Sequence, residues 1–457
     1  MALTIDTPLA TPQTRSAAGG LREVATLALP VILTNLSATL MMATDAAMVG
    51  RLGATELGAV GYAGIWYWTA LSLFSGAATG VQTFVAQAHG SGDSRACGGW
   101  AWQGLYAVVP FAALGIAIFA FCFAPLLSLL SPAPGLAPLS SAWIHMRAFG
   151  VIGITAAMVL SAFFRGFGNT RIPLYAMVVA DVVNVILNYG LIYGHFGLPA
   201  WGVAGSGAAT AVAEWVYAIF LYVAFRRRPV DEQFDTAPIM LDLAAIRRFL
   251  RTSLPIGGQW ELDMLAFASF STLVARMGTA QMAASQALLS LMHLSFMQVV
   301  GISFAVSTLV GRYIGCGDIA AAERSHDTGA RLGVTLSIAV GILFIIAPGP
   351  CLRIFTSDVD VLALGTPLLM VGAMFQVADA FGVLSGGALR GAGDTRWPFA
   401  VQTALAWGLF LPASYVGSVV LGGGLTGAWL GGVVYVGALG VAMRWRFRSG
   451  AWKRIRI

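Results

Sequence analysis

Slid against itself by 225 residues, the 457-residue chain matches its own landmark residues without a gap. Pro30 falls on Pro255, Arg51 and Gly53 on Arg276 and Gly278, and Gly92-Asp93 on Gly317-Asp318. Arg165-Gly166 and Thr170-Arg171 fall on Arg390-Gly391 and Thr395-Arg396, and Gly202 falls on Gly427. Such self-similarity describes one module built twice, so its working residues are expected between the copies and where the copies differ.

The module is made for a bilayer. Apolar residues make up 58% of the chain and charged residues 10%, against about 25% charge in soluble proteins. Apolar runs of about 20 residues, long enough to cross a membrane as helices, recur throughout. Twelve spans are predicted: 24–49, 58–87, 100–127, 141–165, 173–194, 203–225, 252–275, 282–312, 329–351, 361–388, 398–420 and 425–445. The fold class is therefore an all-α integral membrane protein of two like-oriented six-helix lobes. A tail (1–23) precedes the first lobe (24–225), a linker (226–251) joins it to the second (252–445), and a basic tail (446–457) follows. The first residues are polar and rich in Pro and Thr, without a basic stretch leading into a short apolar one, so they read as a tail and not as a cleaved signal. Cys97, Cys122, Cys316 and Cys351 do not repeat at the offset and show no metal-ligand spacing, which suggests neither disulfides nor zinc.

With the N-terminus inside, 22 of the 26 Lys and Arg residues fall on the inner side, and only Arg51, Arg147, Arg276 and Arg353 on the outer. This asymmetry supports both termini in the cytoplasm, and the chain is expected in the cell's inner (plasma) membrane. Six spans per copy give the copies one orientation, related by an axis along the membrane normal. The stretch LDLAAIRRFL at the end of the linker and the C-terminal RWRFRSGAWKRIRI are expected to lie as amphipathic helices on the inner leaflet, touching membrane lipid. Juxtamembrane clusters of this kind fix orientation, so no nucleic-acid partner is expected.

Six acids fall within spans: Asp45, Asp181, Glu214, Glu261, Asp263 and Asp379. Ionisable groups inside a membrane are costly and mark functional sites. Their counterparts at the offset are Phe270, Ala406, Leu439, Leu36, Ala38 and Ile154, all apolar. The scaffold is duplicated and the charge is not, so the lobes have different tasks. Asp181, Asn184 and Asn188 share one face of the fifth span, at i, i+3 and i+7. A carboxylate among carboxamides can hold a proton or, through oxygen ligands, a hard cation such as Na⁺. Interhelical hydrogen bonding that only holds the bundle together is the plainer reading. In the second copy Glu261 and Asp263 lie about 200° apart around a helix and do not serve one cavity. Phe267 is one turn beyond Asp263, and a ring beside a carboxylate suits an organic cation. Met264, Met282, Met292, Met297 and Met374 offer adaptable surface or plain core. Glu214 and His293 are accessory candidates. No GxxxxGK[ST] loop is present, so direct ATP drive is unsupported. No nucleophile–histidine or metal constellation suggests an enzyme.

Asp45 followed by MVGRLG, RGFGNTR before the fifth span and RGAGDTR before the eleventh, in twelve spans, together resemble the multidrug and toxic compound extrusion (MATE) family over essentially the whole chain. The resemblance implies two six-helix lobes in a V around a central cavity, sufficient as a monomer, and antiport of H⁺ or Na⁺ against amphipathic, mostly cationic organic compounds, without a cofactor. It implies cation coupling at Asp45, Asn184, Asn188 and Thr210, and at Asp263 and Asp379. Any Na⁺ would sit at Asp45 or at Asp263/Asp379. Substrate is implied at Asp263, Phe267, Asp379 and Gln286, with Met292 beside them. The seventh-span acid is usually Glu in the NorM-like branch and is Asp263 here, with Glu261 near enough to share its task. Asn188 stands where the DinF-like branch has an aspartate, which favours the NorM-like branch. A lipid-linked saccharide flippase would need cationic side chains in the cavity, where the span charges read as almost all acidic. An ion channel would need a ring of repeated polar groups, and a membrane receptor is the remaining alternative.

Overall fold

The structure, a computed structural model, describes residues 18–123, 135–354, 358–455 and 457. Its helices are α1 (Leu21–Gly50), α2 (Ala54–Gly90), α3 (Ser94–Ile118, continued by a π-helical turn to Phe123), α4 (Leu136–Ala148), α5 (Val151–Gly166), α6 (Arg171–Tyr193) and α7 (Val203–Phe225). After the short α8 (Arg228–Phe234) come α9 (Leu243–Ala275), α10 (Thr279–Gly315), α11 (Ile319–Ile346) and the short α12 (Pro348–Arg353). The last three are α13 (Val359–Gly391), α14 (Arg396–Val420, with two π-helical stretches) and α15 (Gly424–Arg448).

The twelve spans read from the sequence correspond to these helices once α4 and α5, bent by 51° at their junction, are counted as one. Among the described residues nine helices are long and apolar enough to cross a membrane, and the bent pair makes ten. The other two, α2 and α9, are equally long. α2 is diluted by Gly, Ser, Thr, Tyr, Trp and Gln, and α9 carries Arg247, Arg248, Arg251, Glu261 and Asp263. Residues 124–127 of the third predicted span lie outside the described residues.

Two expectations about the basic segments are corrected. LAAIRRFL is no separate surface helix; it forms the opening turns of α9, because nothing between Leu243 and Pro255 breaks the helix, and the helix continues through Pro255 despite the lost hydrogen bond and the ring's crowding of the preceding turn. At the C-terminus RWRFR ends α15, and the chain folds back on its own helices. Trp452 is buried and stacked on Phe447 (5.0 Å), and Lys453 Nζ pairs with Glu323 at 2.6 Å. The connection before α9 is also folded. Trp102 Nε1 donates to Thr236 O (3.0 Å) and Gln103 Nε2 to Met240 O (3.0 Å), fastening it to α3. Asp231 accepts from Thr236 Oγ1 (2.6 Å) and Arg226 Nη1 (3.0 Å). Thr236 first and Arg226 second hold its carboxyl below the usual carboxylate range. Its contribution is thus present at neutral pH and lost as pH falls through that lowered value.

The chain forms two compact units that divide inside α1 and α9: residues up to Ile32 with Leu262–Ile457, here the C-terminal unit, and Leu33–Glu261, the N-terminal unit. The duplication is visible in backbone detail. Gly92 and Gly317 turn with φ of 82° and 79°, which only glycine adopts freely. The following Asp93 and Asp318 each cap the next helix, accepting from Ala96 N (3.2 Å) and Ala321 N (2.9 Å). The fixed offset breaks in the last helix of each half. Gly202 (φ 56°) corresponds to Gly424 (φ 53°) and not to Gly427, which corresponds instead to Gly205. Gly205 and Gly427 face the carbonyls of Leu191 and Gly417 on the preceding helix, and Phe225 and Phe447 close each half in buried positions. The shorter loop before α15 shifts the register to 222 residues, making Val436 the counterpart of Glu214. It is still apolar.

Small residues let helices cross closely. In the N-terminal unit Gly76 and Gly80 of α2 meet Ser253 and Gly257 of α9, and a Cβ on Gly76 would stand 2.6 Å from Gly257 Cα. In the C-terminal unit the repeat of this contact sets Gly301 of α10 against Ile32 of α1, where a Cβ on Gly301 would stand 3.0 Å from the backbone nitrogen of Ile32. Gly257→Val is expected to destabilise by about 1–3 kcal/mol through overpacking. Folded yield and thermal unfolding in detergent would check this, and wild-type values for both would show that the crossing is not tight.

Candidate functional site

In the N-terminal unit four residues foreseen in the sequence come together. Asp45 lies late in α1, Asn184 and Asn188 are one turn apart on α6, and Thr210 is on α7. Both Asn side chains are fully buried. Asn188 Nδ2 donates to Asp45 Oδ1 and, at 3.0 Å, to Asn184 Oδ1. Asn184 Nδ2 donates to Thr210 Oγ1 (3.3 Å), which itself lies 3.1 Å from Asp45 Oδ2 and 2.9 Å from Ser206 O. Asp45 is thus held by neutral donors, with no ion pair among the described residues. Asn188 Oδ1 is buried without a hydrogen-bond donor there. A carboxylate, a hydroxyl and an unsatisfied amide oxygen make an oxygen-lined position fit for a proton or a small hard cation. Tyr193 Oη donates to Met48 O (2.6 Å) and ties α6 to the end of α1. Asp181 is not part of this group: its Oδ2 accepts from Ser37.

Glu214 has a different partner from any the sequence suggested. Arg147, counted with the outer loops, is a buried residue of α4 whose Nη1 lies 2.7 Å from Glu214 Oε1. Its guanidinium also sits over the rings of Tyr67 (4.8 Å) and Trp143 (5.5 Å). The pair stands at the α4–α5 bend, where Gly150 leaves room for α7: a Cβ there would come within 2.9 Å of Ala211 Cα. The carbonyl of Phe149, freed by the bend, accepts from Trp215 Nε1 at 2.8 Å. The span charges are therefore not almost all acidic, but this cation is matched. Both Arg147 and Glu214 lie within electrostatic reach of Asp45.

Glu261 belongs to the N-terminal unit, where its Oε2 accepts from Ser72 of α2. Asp263 belongs to the C-terminal unit. Its Oδ2 accepts from Gln402 Nε2 of α14, and Tyr435 Oη of α15 lies 3.3 Å from its Oδ1. Neither partner was foreseen. Both are uncharged and sit in spans with no acid, so only the geometry of α14 and α15 reveals them. Asp379, half-buried on α13, is within electrostatic reach of Asp263. Phe267 packs against Phe410 (5.6 Å) and Phe270 (6.3 Å), and Phe410 stacks on Tyr435 (5.2 Å). Phe270, the counterpart of Asp45, packs on Phe410 and Trp429, so the second copy fills the place of the first copy's polar group with rings. Met292 is buried in the hydrophobic core of this unit, while Gln286 and His293 are exposed on α10. None of the three enters the hydrogen-bonded group around Asp263 among the described residues.

Duplicated six-helix halves, with half-buried carboxylates held by neutral donors inside membrane helices, define a membrane transporter. The sequence profile of the MatE family matches residues 30–190 and 255–416, one stretch in each copy, and the chain belongs to that family. It is 28% identical over 440 residues to the probable multidrug resistance protein NorM of Chromobacterium violaceum, covering 95% of each chain. It is 30% identical over 436 residues to the probable NorM of Bradyrhizobium diazoefficiens, covering 92% of each. Among solved structures it resembles a MATE in the bent conformation (TM-score 0.87, 18% identity, 98% of this chain and 99% of that one). It also resembles the eukaryotic MATE transporter AtDTX14 (TM-score 0.83, 19% identity, 95% and 96%). The relatives and the profile place the chain in the NorM-like part of the family, as its sequence motifs indicated.

Proposed function

We propose that this chain exports amphipathic, mostly cationic organic compounds across the cell's inner membrane, with both termini cytoplasmic, in exchange for H⁺ or Na⁺. One observation carries this reading: each unit keeps a membrane carboxylate, Asp45 or Asp263, held by neutral hydrogen-bond donors and free of ion pairs among the described residues. Such a group is costly in a bilayer and is retained for reversible binding of cations. Asp45, with the oxygens of Asn188 and Thr210, suits the coupling ion. Asp263 and Asp379 beside Phe267 suit an organic cation, through Coulomb attraction and contact with the ring face. Binding of the ion weakens the hold on substrate, and linkage makes that antagonism mutual. The names of the curated relatives support export of drugs. The matched pairing of Arg147 with Glu214 leaves no free cation there for a pyrophosphate, so a lipid-linked saccharide flippase gains no support.

Everted vesicles test this. A dye cation such as ethidium is expected to accumulate when an outward-equivalent gradient of H⁺ or Na⁺ is imposed, and the ion that drives it is the coupling ion. Asp263→Asn is expected to raise KM for the dye about tenfold, equivalent to ~1.4 kcal/mol of lost attraction, and to alter KM for a neutral substrate much less. Equal effects on charged and neutral substrates would remove Asp263 from the substrate site, and no accumulation with either ion would remove the exporter reading.

A further inference from the structure

On the C-terminal unit, α11, α13 and α15 border an open groove of about 700 Å³. Its walls include Ile342, Met374 and Val441, which are 49%, 58% and 73% exposed, so the groove is open along its side. Gly437 and Gly440 of α15 are among its lining residues; a Cβ on Gly437 would meet nothing within 4 Å, while one on Gly440 would stand 3.0 Å from Ala378 O of α13. Among its described lining residues only Arg444 is charged. The Arg444 guanidinium lies over the ring of Phe381 (5.3 Å), and no described carboxylate forms an ion pair with it. Asp327 is within electrostatic reach; its carboxylate is hydrogen-bonded to His326 (3.1 Å) and forms no described ion pair with Arg444. Of the neighbouring cations, Arg446 is matched by Asp394 and Lys453 by Glu323, while Arg448, one turn beyond Arg444, forms no described ion pair either.

We propose that this groove holds an anionic phospholipid, its phosphate on Arg444 and one acyl chain laid along α15. Length supports this occupant. Val433 and Arg444 both line the groove; at 1.5 Å per residue they are roughly 16 Å apart along the helix. Half of a hydrocarbon core of about 30 Å is ~15 Å, so the slot runs the depth of one leaflet from its charged end. That end carries the basic cluster that closes α15, and the exposed Trp445 sits at the level expected of an interfacial ring. A cationic substrate is repelled by Arg444, and a zwitterionic lipid brings a cation of its own beside the phosphate, so an anionic headgroup is the complement. This inference needs only the membrane setting and stands apart from the transport reading.

The full chain, purified in mild detergent, would be loaded from mixed micelles of palmitoyl-oleoyl phosphatidylglycerol or phosphatidylcholine, washed, and the retained lipid counted by native mass spectrometry. Phosphatidylglycerol is expected to be retained about fivefold over phosphatidylcholine, the worth of one basic residue at a headgroup. Arg444→Gln should bring the two lipids level. Gly437→Leu should lower retention of both, because a Cβ at Gly437 meets nothing within 4 Å and the new side chain enters the slot without displacing its neighbours. Size-exclusion profiles identify any variant that fails to fold, and Gly437→Leu keeps the test open if Arg444→Gln does. Equal retention of the two lipids by the wild type, or undiminished retention by a folded Gly437→Leu, overturns the proposal. So does displacement by excess glycerol 3-phosphate, which would identify a soluble phosphate as the ligand.

Discussion

Asp45→Asn is expected to lower substrate efflux about 100-fold, the upper range of coupling between two sites, while leaving the protein as stable as the wild type or more so. Asparagine keeps the shape of the side chain and, with its one oxygen toward Thr210 (3.1 Å from Oδ2), still accepts there; its amide nitrogen replaces the oxygen that accepted from Asn188 Nδ2, which keeps its bond to Asn184 Oδ1. It removes the charge that a proton or Na⁺ would neutralise. Because a membrane-embedded charge costs stability, its removal should not lower the unfolding temperature. Transport lost with stability kept is the signature of a coupling group. If unfolding temperature and efflux fell together, Asp45 would be a bundle-holding residue. If efflux persisted, coupling would lie elsewhere.

Arg147→Met should act in the opposite way. Both members of the Arg147–Glu214 pair are buried, with side-chain exposures of 4% and 8%. Removing the guanidinium strands a carboxylate whose Oε2 already lacks a hydrogen-bond donor among the described residues, and it also removes the cation that lies over the rings of Tyr67 and Trp143. Breaking a buried pair from one side costs about 3–5 kcal/mol, whereas replacing both members with apolar residues of similar volume is often neutral or stabilising. Chemical denaturation in detergent should therefore show a large loss for Arg147→Met and recovery of most of it in Arg147→Met with Glu214→Leu. A single variant as stable as the wild type would show that the pair does not secure the α4–α5 bend to α7.

The sequence carried the N-terminal group well, for a physical reason. Asn184 and Asn188 are polar at i and i+4 on an apolar helix, and Asp45 is a charge where charge is expensive, so each stands out from its surroundings. Thr210 was legible only through the family resemblance, since a threonine in a membrane helix commonly bonds its own backbone, as this one does to Ser206. The C-terminal group was half legible. Asp263 and Phe267 follow from helical spacing, and the angle between Glu261 and Asp263 pointed them to different surroundings, although the family resemblance still let Glu261 share the task; the two have different partners, Ser72 and Gln402. Gln402 and Tyr435 sit thirty-three residues apart on two helices and meet only through the packing of α14 with α15. Arg147 was misplaced because a charge near a predicted span end is ordinarily solvated. The bend after α4, which buries it, depends on Gly150 and on the fit of α7 against that glycine. The offset of 225 residues misled at Gly427, where a coincidence of glycines in a Gly-rich helix concealed a three-residue shift.

The central claim is that the movement of an organic cation is exchanged for that of H⁺ or Na⁺ through Asp45. Its most direct test is reciprocal flux in proteoliposomes holding the purified chain. An imposed ion gradient should drive ethidium against its own gradient, and an imposed ethidium gradient should drive the same ion the other way, with both movements lost in Asp45→Asn. Ethidium movement that carries no counter-flow of either ion, or exchange that survives in Asp45→Asn, would contradict it.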